Sequence, residues 1–356
     1  MMLEKEVESA RKEIVADGYD MSIGELINIY KDKELNIAPE YQRLFRWDED
    51  QKTRFIETLL LGLPIPPIFV SQTSNGAWEL IDGLQRTSTI LQFVGILADQ
   101  PPLELDGTKY LPSLSGKFWD IKHGKKSIGL DLQLQIKRQR IRVEILKKES
   151  DVDAKYELFQ RLNTGGSKLS EQEVRNCVAF MLNKDAAVEL GKLSKLKTFV
   201  EITKLSDEQK KRKYDEELVL RHFTIANVPY KNGLDVHAYL DEGIREYCKL
   251  TAPKRAAFTK RFTELHEHLS TKYGADIFRT SPSGKSGQFQ LSKFETVISG
   301  MTSNWTAVKV KDGKWLKRKV DGLYTQTEYT LNSGAGVRGS LRISKLVPFG
   351  KSYFAK

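Results

Sequence analysis

The chain has 356 residues, 40% hydrophobic and 29% charged, with a net charge of +10, which suits about two domains, fits a globular rather than a disordered chain, and points to a polyanionic partner such as nucleic acid. Cys177 and Cys248 are too few and too far apart for a disulfide framework or a thiolate zinc site. Residues 1–18 lack the apolar centre of a signal peptide, and no apolar run reaches about 18 residues, so a cytoplasmic protein without a membrane partner is expected.

Residues 1–19 are charged and helix-prone, and are expected to form a short amphipathic helix ending at Gly18. Ser22-Ile23-Gly24-Glu25 is a capping-box pattern opening a helix that carries Leu26, Ile27 and Ile29, followed by strand-like Leu35-Asn36-Ile37. Residues 39–47 are dense in aromatics and arginines. Phe45 and Trp47 suit packing, whereas Tyr41-Gln42-Arg43 sets an aromatic ring beside an amide and a guanidinium, a combination that stacks on a base and grips a phosphate. Asp48 and Gln51 can cap a helix over 49–61 that turns Phe55, Ile56, Leu59 and Leu60 to a core, with Gly62 and Pro64 ending it.

Pro66-Pro67 forces an extended entry into the strand Ile68-Phe69-Val70, and Asn75-Gly76 is a hairpin signal leading to a second strand over 78–81. Asp82-Gly83-Leu84-Gln85-Arg86 comes next, before Ile90, Val94 and Leu97 at helical spacing. These five residues form a strand-to-helix turn, which presents free backbone N–H groups and the positive end of a helix, where phosphates bind readily. Arg86 adds a planar charged fork suited to phosphate oxygens. Residues 100–116 read as a surface excursion and 122–126 as a basic loop, and the period-two run 140–146 returns the chain to the sheet.

From residue 154 the pattern turns helical. Tyr156, Phe159 and Leu162 share a face, Asn163-Thr164-Gly165-Gly166-Ser167 breaks it, and Ser170-Glu171-Gln172-Glu173 is a second capping box. Helices follow over 216–223, 236–250 and 256–269, with a short one over 293–298. Residues 305–310, an Asp312-Gly313 turn and 314–320 read as a basic hairpin, and 341–354 is apolar and basic without a clear period. Residues 301–356 hold 11 Lys and Arg against 3 Asp and Glu, so +8 of the +10 lies there. The expected fold class is α+β: a small mixed α/β domain over 20–150, a helical domain over 151–300, and a basic, partly β C-terminal segment over 301–356.

Three ordered blocks resemble the GmrSD restriction endonuclease N-terminal domain family. They are Tyr41-Gln42-Arg43 with Arg46-Trp47; Ile65-Pro66-Pro67-Ile68 leading into residues 82–86; and Phe159-Gln160-Arg161-Leu162-Asn163 with Gly165, Leu169 and Ser170, followed by the Glu217-Leu218-Val219-Leu220-Arg221 helix. The resemblance implies a ParB/sulfiredoxin-like fold for the first domain and a nucleotide-dependent role in DNA restriction or phage defence, the domain binding and hydrolysing nucleoside triphosphates. The family usually reads Asp-Gly-Gln-Gln-Arg where this chain has Leu84. Either that Gln bonds substrate in relatives, and this chain binds without efficient turnover, or it points into the domain and nothing is lost. Many relatives carry an HNH-type nuclease module. The histidines at 123, 222, 237, 266 and 268 do not form its metal arrangement, so any nuclease is expected as a separate subunit.

On this reading Gly83, Arg86 and Thr87 cradle the phosphates, and Asn163, Thr164, Gly165 and Gly166 close over the nucleotide from the helical domain. Asp82 would hold Mg²⁺ or polarise water and Gln85 would orient it, so that Asp82, Gln85 and Arg86 form the catalytic set of an NTPase. The simpler role for Asp82 is a helix cap. Tyr41, Gln42, Arg43 and Arg46 are assigned to DNA or a modification on it, and Lys317, Arg318 and Lys319 to sequence-independent phosphate contacts. The rival reading, favoured by Leu84, is a non-catalytic, nucleotide-switched DNA-binding adaptor or clamp that recruits a separate nuclease. The triphosphate, the DNA modification and any homo-oligomer are left open.

Overall fold

A computed structural model describes residues 4, 16–37, 47–73, 75–123, 126–147, 170–279 and 287–355. The chain divides into two compact units, one within residues 1–167 and the other within 168–356. The architecture is α+β, a small mixed sheet in the first unit and helices in the second.

The sheet of the first unit contains β1 (Ala16–Ser22), β2 (Leu35–Asn36), β3 (Ile68–Gln72), β4 (Trp78–Asp82) and β5 (Arg140–Leu146), in the order β1-β5-β3-β4-β2. β3 runs antiparallel to β4 and parallel to β5, and β1 closes one edge antiparallel to β5. Ile68, Val70, Leu80, Ile141 and Val143 are buried along these strands, as β-branched and aliphatic residues on a packed sheet should be. At the hairpin tip Gly76 adopts φ +88° and its N–H donates to Thr73 O at 3.0 Å.

The end of the helix expected over 1–19 is instead the strand β1, which takes in Asp17, Gly18 and Tyr19. Pairing overrides local propensity here: seven residues run in register with β5, and the charges match across the pair, with Lys147 3.3 Å from Asp17 and Arg142 3.8 Å from Asp20.

The described helices of this unit are α1 (Ile23–Lys31), α2 (Glu49–Leu60), α3 (Leu84–Val94) and α4 (Leu130–Arg138). Asp48 and Gln51 make both halves of the α2 capping box. At α1 only half forms: Ser22 Oγ accepts the Glu25 N–H at 3.0 Å, while the Glu25 carboxylate accepts the Tyr19 hydroxyl at 3.2 Å. The helix α4, for which the sequence offered no strong period, supplies Gln135 and Gln139, whose side-chain amides donate to Leu60 O (2.6 Å) and Leu59 O (2.7 Å), carbonyls of the last turn of α2. Residues 100–116 are more than a surface excursion. Leu103, Leu105 and Leu114 are buried, Leu105 bridges to Lys117, and the segment is tied to α3 by the Leu103 N–H on Gln92 O (3.2 Å) and to α2 by the Asp106 N–H on Thr53 Oγ1 (3.1 Å).

The second unit contains α5 (Glu171–Leu182), α6 (Lys184–Leu193), α7 (Lys197–Thr203), α8 (Asp207–Lys211), α9 (Tyr214–Asn227), α10 (Val236–Lys249), α11 (Ala252–Lys272), α12 (Leu291–Ser303), α13 (Trp305–Val308), α14 (Gly313–Asp321), α15 (Thr327–Asn332) and α16 (Gly339–Ala355). Ser170 opens α5 with a complete capping box to Glu173. The helices α9 and α12 are buried on every side over Glu216 to Ile225 and Ser292 to Met301, so they form the centre of the core. Gly300 and Gly350 let α12 and α16 approach closely: a Cβ on Gly300 would overlap the Phe354 ring, and one on Gly350 would overlap Thr296 O.

The basic hairpin expected over 305–320 is not formed; α13 and α14 occupy that segment. Asp312-Gly313 is equally an N-cap followed by a first helical residue, and Asp312 Oδ1 accepts the Trp315 N–H at 2.8 Å. The apolar residues Leu316 and Val320, four apart and fully buried, then decide for the helix over the alternating lysines. Among the described residues no helix is long and apolar enough to cross a membrane.

Candidate functional site

The β4–α3 turn is built by three constraints. Gly83 sits at φ +94° and serves as the N-cap of α3, and a Cβ there would lie 2.5 Å from Ile68 Cγ2. Only glycine adopts that backbone and leaves β3 in place. No side chain caps α3, and the first turn-closing bond runs from Thr87 N–H to Gly83 O at 2.8 Å. Asp82, the last residue of β4, therefore does not act as the cap. Its Oδ2 accepts Arg86 Nη2 at 2.9 Å, and the same nitrogen donates to Pro67 O at 3.1 Å. The pair is partly accessible, with the Arg86 and Asp82 side chains 15% and 27% exposed. Gln85 Oε1 accepts the Trp47 backbone N–H at 3.1 Å, and the Trp47 ring packs edge-on against Phe55 with centroids 5.5 Å apart.

Segments distant in the chain thus meet at one turn. Pro67 and Ile68 hold Arg86 and Gly83, and Trp47 holds Gln85. The roles of Trp47, Pro67 and Ile68 were not assigned from the sequence; the spacing of the resembling blocks was the available signal. Asp82, Gly83, Gln85 and Arg86 lie in succession at the end of β4 and the start of α3. Thr87 is adjacent but fully buried, with its hydroxyl lacking a hydrogen-bond partner, so its side chain faces the core rather than a solvent-borne ligand. Leu84, half-buried, is the first residue of α3. Tyr41, Gln42, Arg43 and Arg46, and Asn163, Thr164, Gly165 and Gly166, lie outside the described residues.

The turn can receive an anion. It offers the positive end of an eleven-residue helix without an acidic residue in its first turn, next to a guanidinium whose present partners are one carboxylate and one carbonyl. Among the described residues no group of three or more His, Cys, Asp or Glu side chains could hold a metal ion by itself.

In the second unit Glu217 and Arg221 are core groups. Arg221 bonds Glu217 at 2.6 Å and Glu295 at 2.7 Å; Arg342 bonds the other Glu295 oxygen at 2.7 Å; Arg175 bonds Asp241 at 2.7 Å and lies 3.6 Å from Glu217. The result is an alternating chain of three arginines and three carboxylates linking α5, α9, α10, α12 and α16. Burial pushes the Glu217 carboxyl up, but Arg221 and Arg175 together overcome this and hold it below the usual range. Of the three basic residues assigned to DNA, Lys317 and Arg318 are exposed on α14, whereas Lys319 Nζ donates to Tyr353 O at 3.0 Å and lies 4.5 Å from the centre of that ring.

Residues 23–180 match the family model of the GmrSD restriction endonuclease, N-terminal domain. No curated protein and no solved structure matches the chain.

Proposed function

We propose that this chain, which carries a GmrSD N-terminal domain over residues 23–180, is a restriction or phage-defence protein that binds a nucleoside triphosphate at the β4–α3 turn, hydrolyses it, and couples that step to DNA. The observation that supports this best is the turn itself: a helix N-terminus with no side-chain cap, reached over a glycine that admits no Cβ, with Arg86 beside it. Phosphate oxygens would take the N–H groups of the first turn of α3 and one edge of Arg86. Mg²⁺ carried by the triphosphate would be held on the protein side by Asp82 and would offset phosphate charge. Asp82 holds Arg86 in place and is the carboxylate at this turn that would accept a proton from water; Gln85 is tied by Oε1 to Trp47, which fixes its side chain beside the turn. Tyr41, Gln42, Arg43 and Arg46 would meet DNA or a modification on it, and Asn163, Thr164, Gly165 and Gly166 would complete the nucleotide site. A nuclease would be a separate subunit.

One observation favours a second reading, the nucleotide-switched adaptor. Gln85 Oε1 is already engaged, and Leu84 stands where relatives have the other Gln, so a group to orient water is harder to find. Phosphate release measured over a panel of triphosphates, with and without DNA, separates the two. Turnover by the wild type that drops at least tenfold in Arg86→Ala supports the enzyme. Nucleotide binding without phosphate release, with turnover appearing in Leu84→Gln, supports the switch. No nucleotide binding by the wild type would refute both.

A further inference from the structure

We infer that the solvent stripe of α14, Lys314, Lys317 and Arg318, is a docking surface for the sugar-phosphate backbone of duplex DNA, without sequence preference. This rests on the reading that the chain meets DNA and names the surface of the second unit that does so. The positions are three and four apart, so on a helix whose Leu316 and Val320 are buried all three side chains emerge on the opposite face. The stripe is about 6 Å long and carries three positive charges, against one phosphate of each strand per about 3.4 Å of duplex axis, so with the reach of its long side chains it can meet two to three phosphates.

The charge is uncompensated. Several exposed cations elsewhere on this unit do have acidic partners: Lys204 is 3.0 Å from Asp276, Arg212 3.1 Å from Glu208, and Lys249 3.0 Å from Glu246. Among the described residues no carboxylate lies within ion-pair distance of Lys314, Lys317 or Arg318, and the two acids nearest in sequence have other tasks. Asp312 caps α14, and Asp321 accepts the Tyr273 hydroxyl at 2.6 Å. Trp315 borders the stripe, but the ammonium groups of Lys311 and Lys319 lie over its ring at 6.0 and 5.9 Å from the centre, so it is a platform for cations rather than a free surface for a base. The stripe therefore offers three cations matched to phosphate and no free aromatic face for a base, which suits sequence-independent backbone contact.

The test is duplex binding as a function of salt, for wild type, for Lys314→Gln/Lys317→Gln/Arg318→Gln, and for a control that neutralises the paired cations Lys204, Arg212 and Lys249. The stripe variant should flatten the slope of log affinity against log salt by about 2–3, with at least a tenfold loss at about 0.1 M salt. The control should leave the slope unchanged, and both variants should melt within a few degrees of wild type, since the residues are exposed. An unchanged slope in the stripe variant, with wild-type binding intact, overturns the inference alone. A loss confined to single-stranded DNA overturns it in favour of base stacking. A wild type that binds no duplex overturns it together with the DNA half of the proposed function, but not the nucleotide half.

Discussion

Gly83→Ala is the substitution that most directly probes how the candidate site is held. Two costs apply. The backbone at φ +94° and ψ 16° is one that an L-residue adopts at about 1–2 kcal/mol. The new methyl would also lie 2.5 Å from Ile68 Cγ2 and 3.0 Å from Ile68 Cβ, and Ile68 is 1% exposed in a strand paired on both sides, so it has little room to withdraw; overpacking of this kind costs about 1–3 kcal/mol. The expected loss is about 2–5 kcal/mol, read as a fall in the urea midpoint at constant slope, with weaker nucleotide binding because the same backbone carries Arg86. A double-mutant cycle with Ile68→Ala separates the costs. That partner removes the overlap and leaves the φ strain, so Gly83→Ala should be about 1–3 kcal/mol milder in the Ile68→Ala background. A loss below about 0.5 kcal/mol in the single variant would refute the reasoning, and strict additivity would refute its packing half.

In the second unit, Glu295→Gln should cost about 3–5 kcal/mol in urea unfolding, because it leaves Arg221 and Arg342 sharing one fewer negative charge in the core, whereas Glu246→Gln at the exposed Lys249 pair should cost about 1 kcal/mol or less; equal effects would deny the buried chain its role. Stability should also fall on acidification. Burial holds His222 well below its ordinary 6.5, and holds His266 at about 4 despite its bond to Phe262 O. The unfolded chain then binds more protons than the folded one between about pH 6.5 and 4, so the stabilisation is complete above that window and is lost through it by about 1.4 kcal/mol per pH unit per histidine. Unfolding at pH 7, 6 and 5 should show this decline, and His266→Phe should make it shallower by one proton; a stability independent of pH over that range would exclude neutral buried histidines.

Where a residue's local chemistry and its tertiary contacts agreed, the fold was legible in the sequence. The Asp48 and Ser170 capping boxes, the Asn75-Gly76 hairpin and the period-two run of β5 all have short-range causes, and all formed. The failures had long-range causes. β1 exists because β5, more than a hundred residues later, offers a seven-residue partner with matching charges. The α13–α14 segment differs from expectation because Asp-Gly serves both a hairpin and a helix start, and the core that receives Leu316 and Val320 is assembled from helices throughout the second unit. Glu217 and Arg221 could be recognised as a pattern, but their partners Arg175 and Glu295, and the Arg342 that bonds Glu295 in turn, come from three other helices.

The candidate site could be proposed from its residues but not from their relations. Arg86 and Asp82 were both singled out as groups waiting for a ligand, yet at 2.9 Å they satisfy each other, and Gln85 likewise rests on Trp47. A phosphate reaching Arg86 must therefore share or replace a carboxylate, a competition that a free guanidinium would not face. On the proposed reading Asp82 would oppose a bare anion at this turn and accommodate one that brings a cation, because the cation would give the carboxylate a new partner while Arg86 met the phosphate. The same pairing bears on Leu84. If the first residue of α3 contributed a water-orienting amide in relatives, its loss here leaves Asp82 as the one described polar side chain of the turn that both reaches solvent and can accept a proton, and Asp82 cannot serve both as the partner of Arg86 and as a base until the ligand has separated the two.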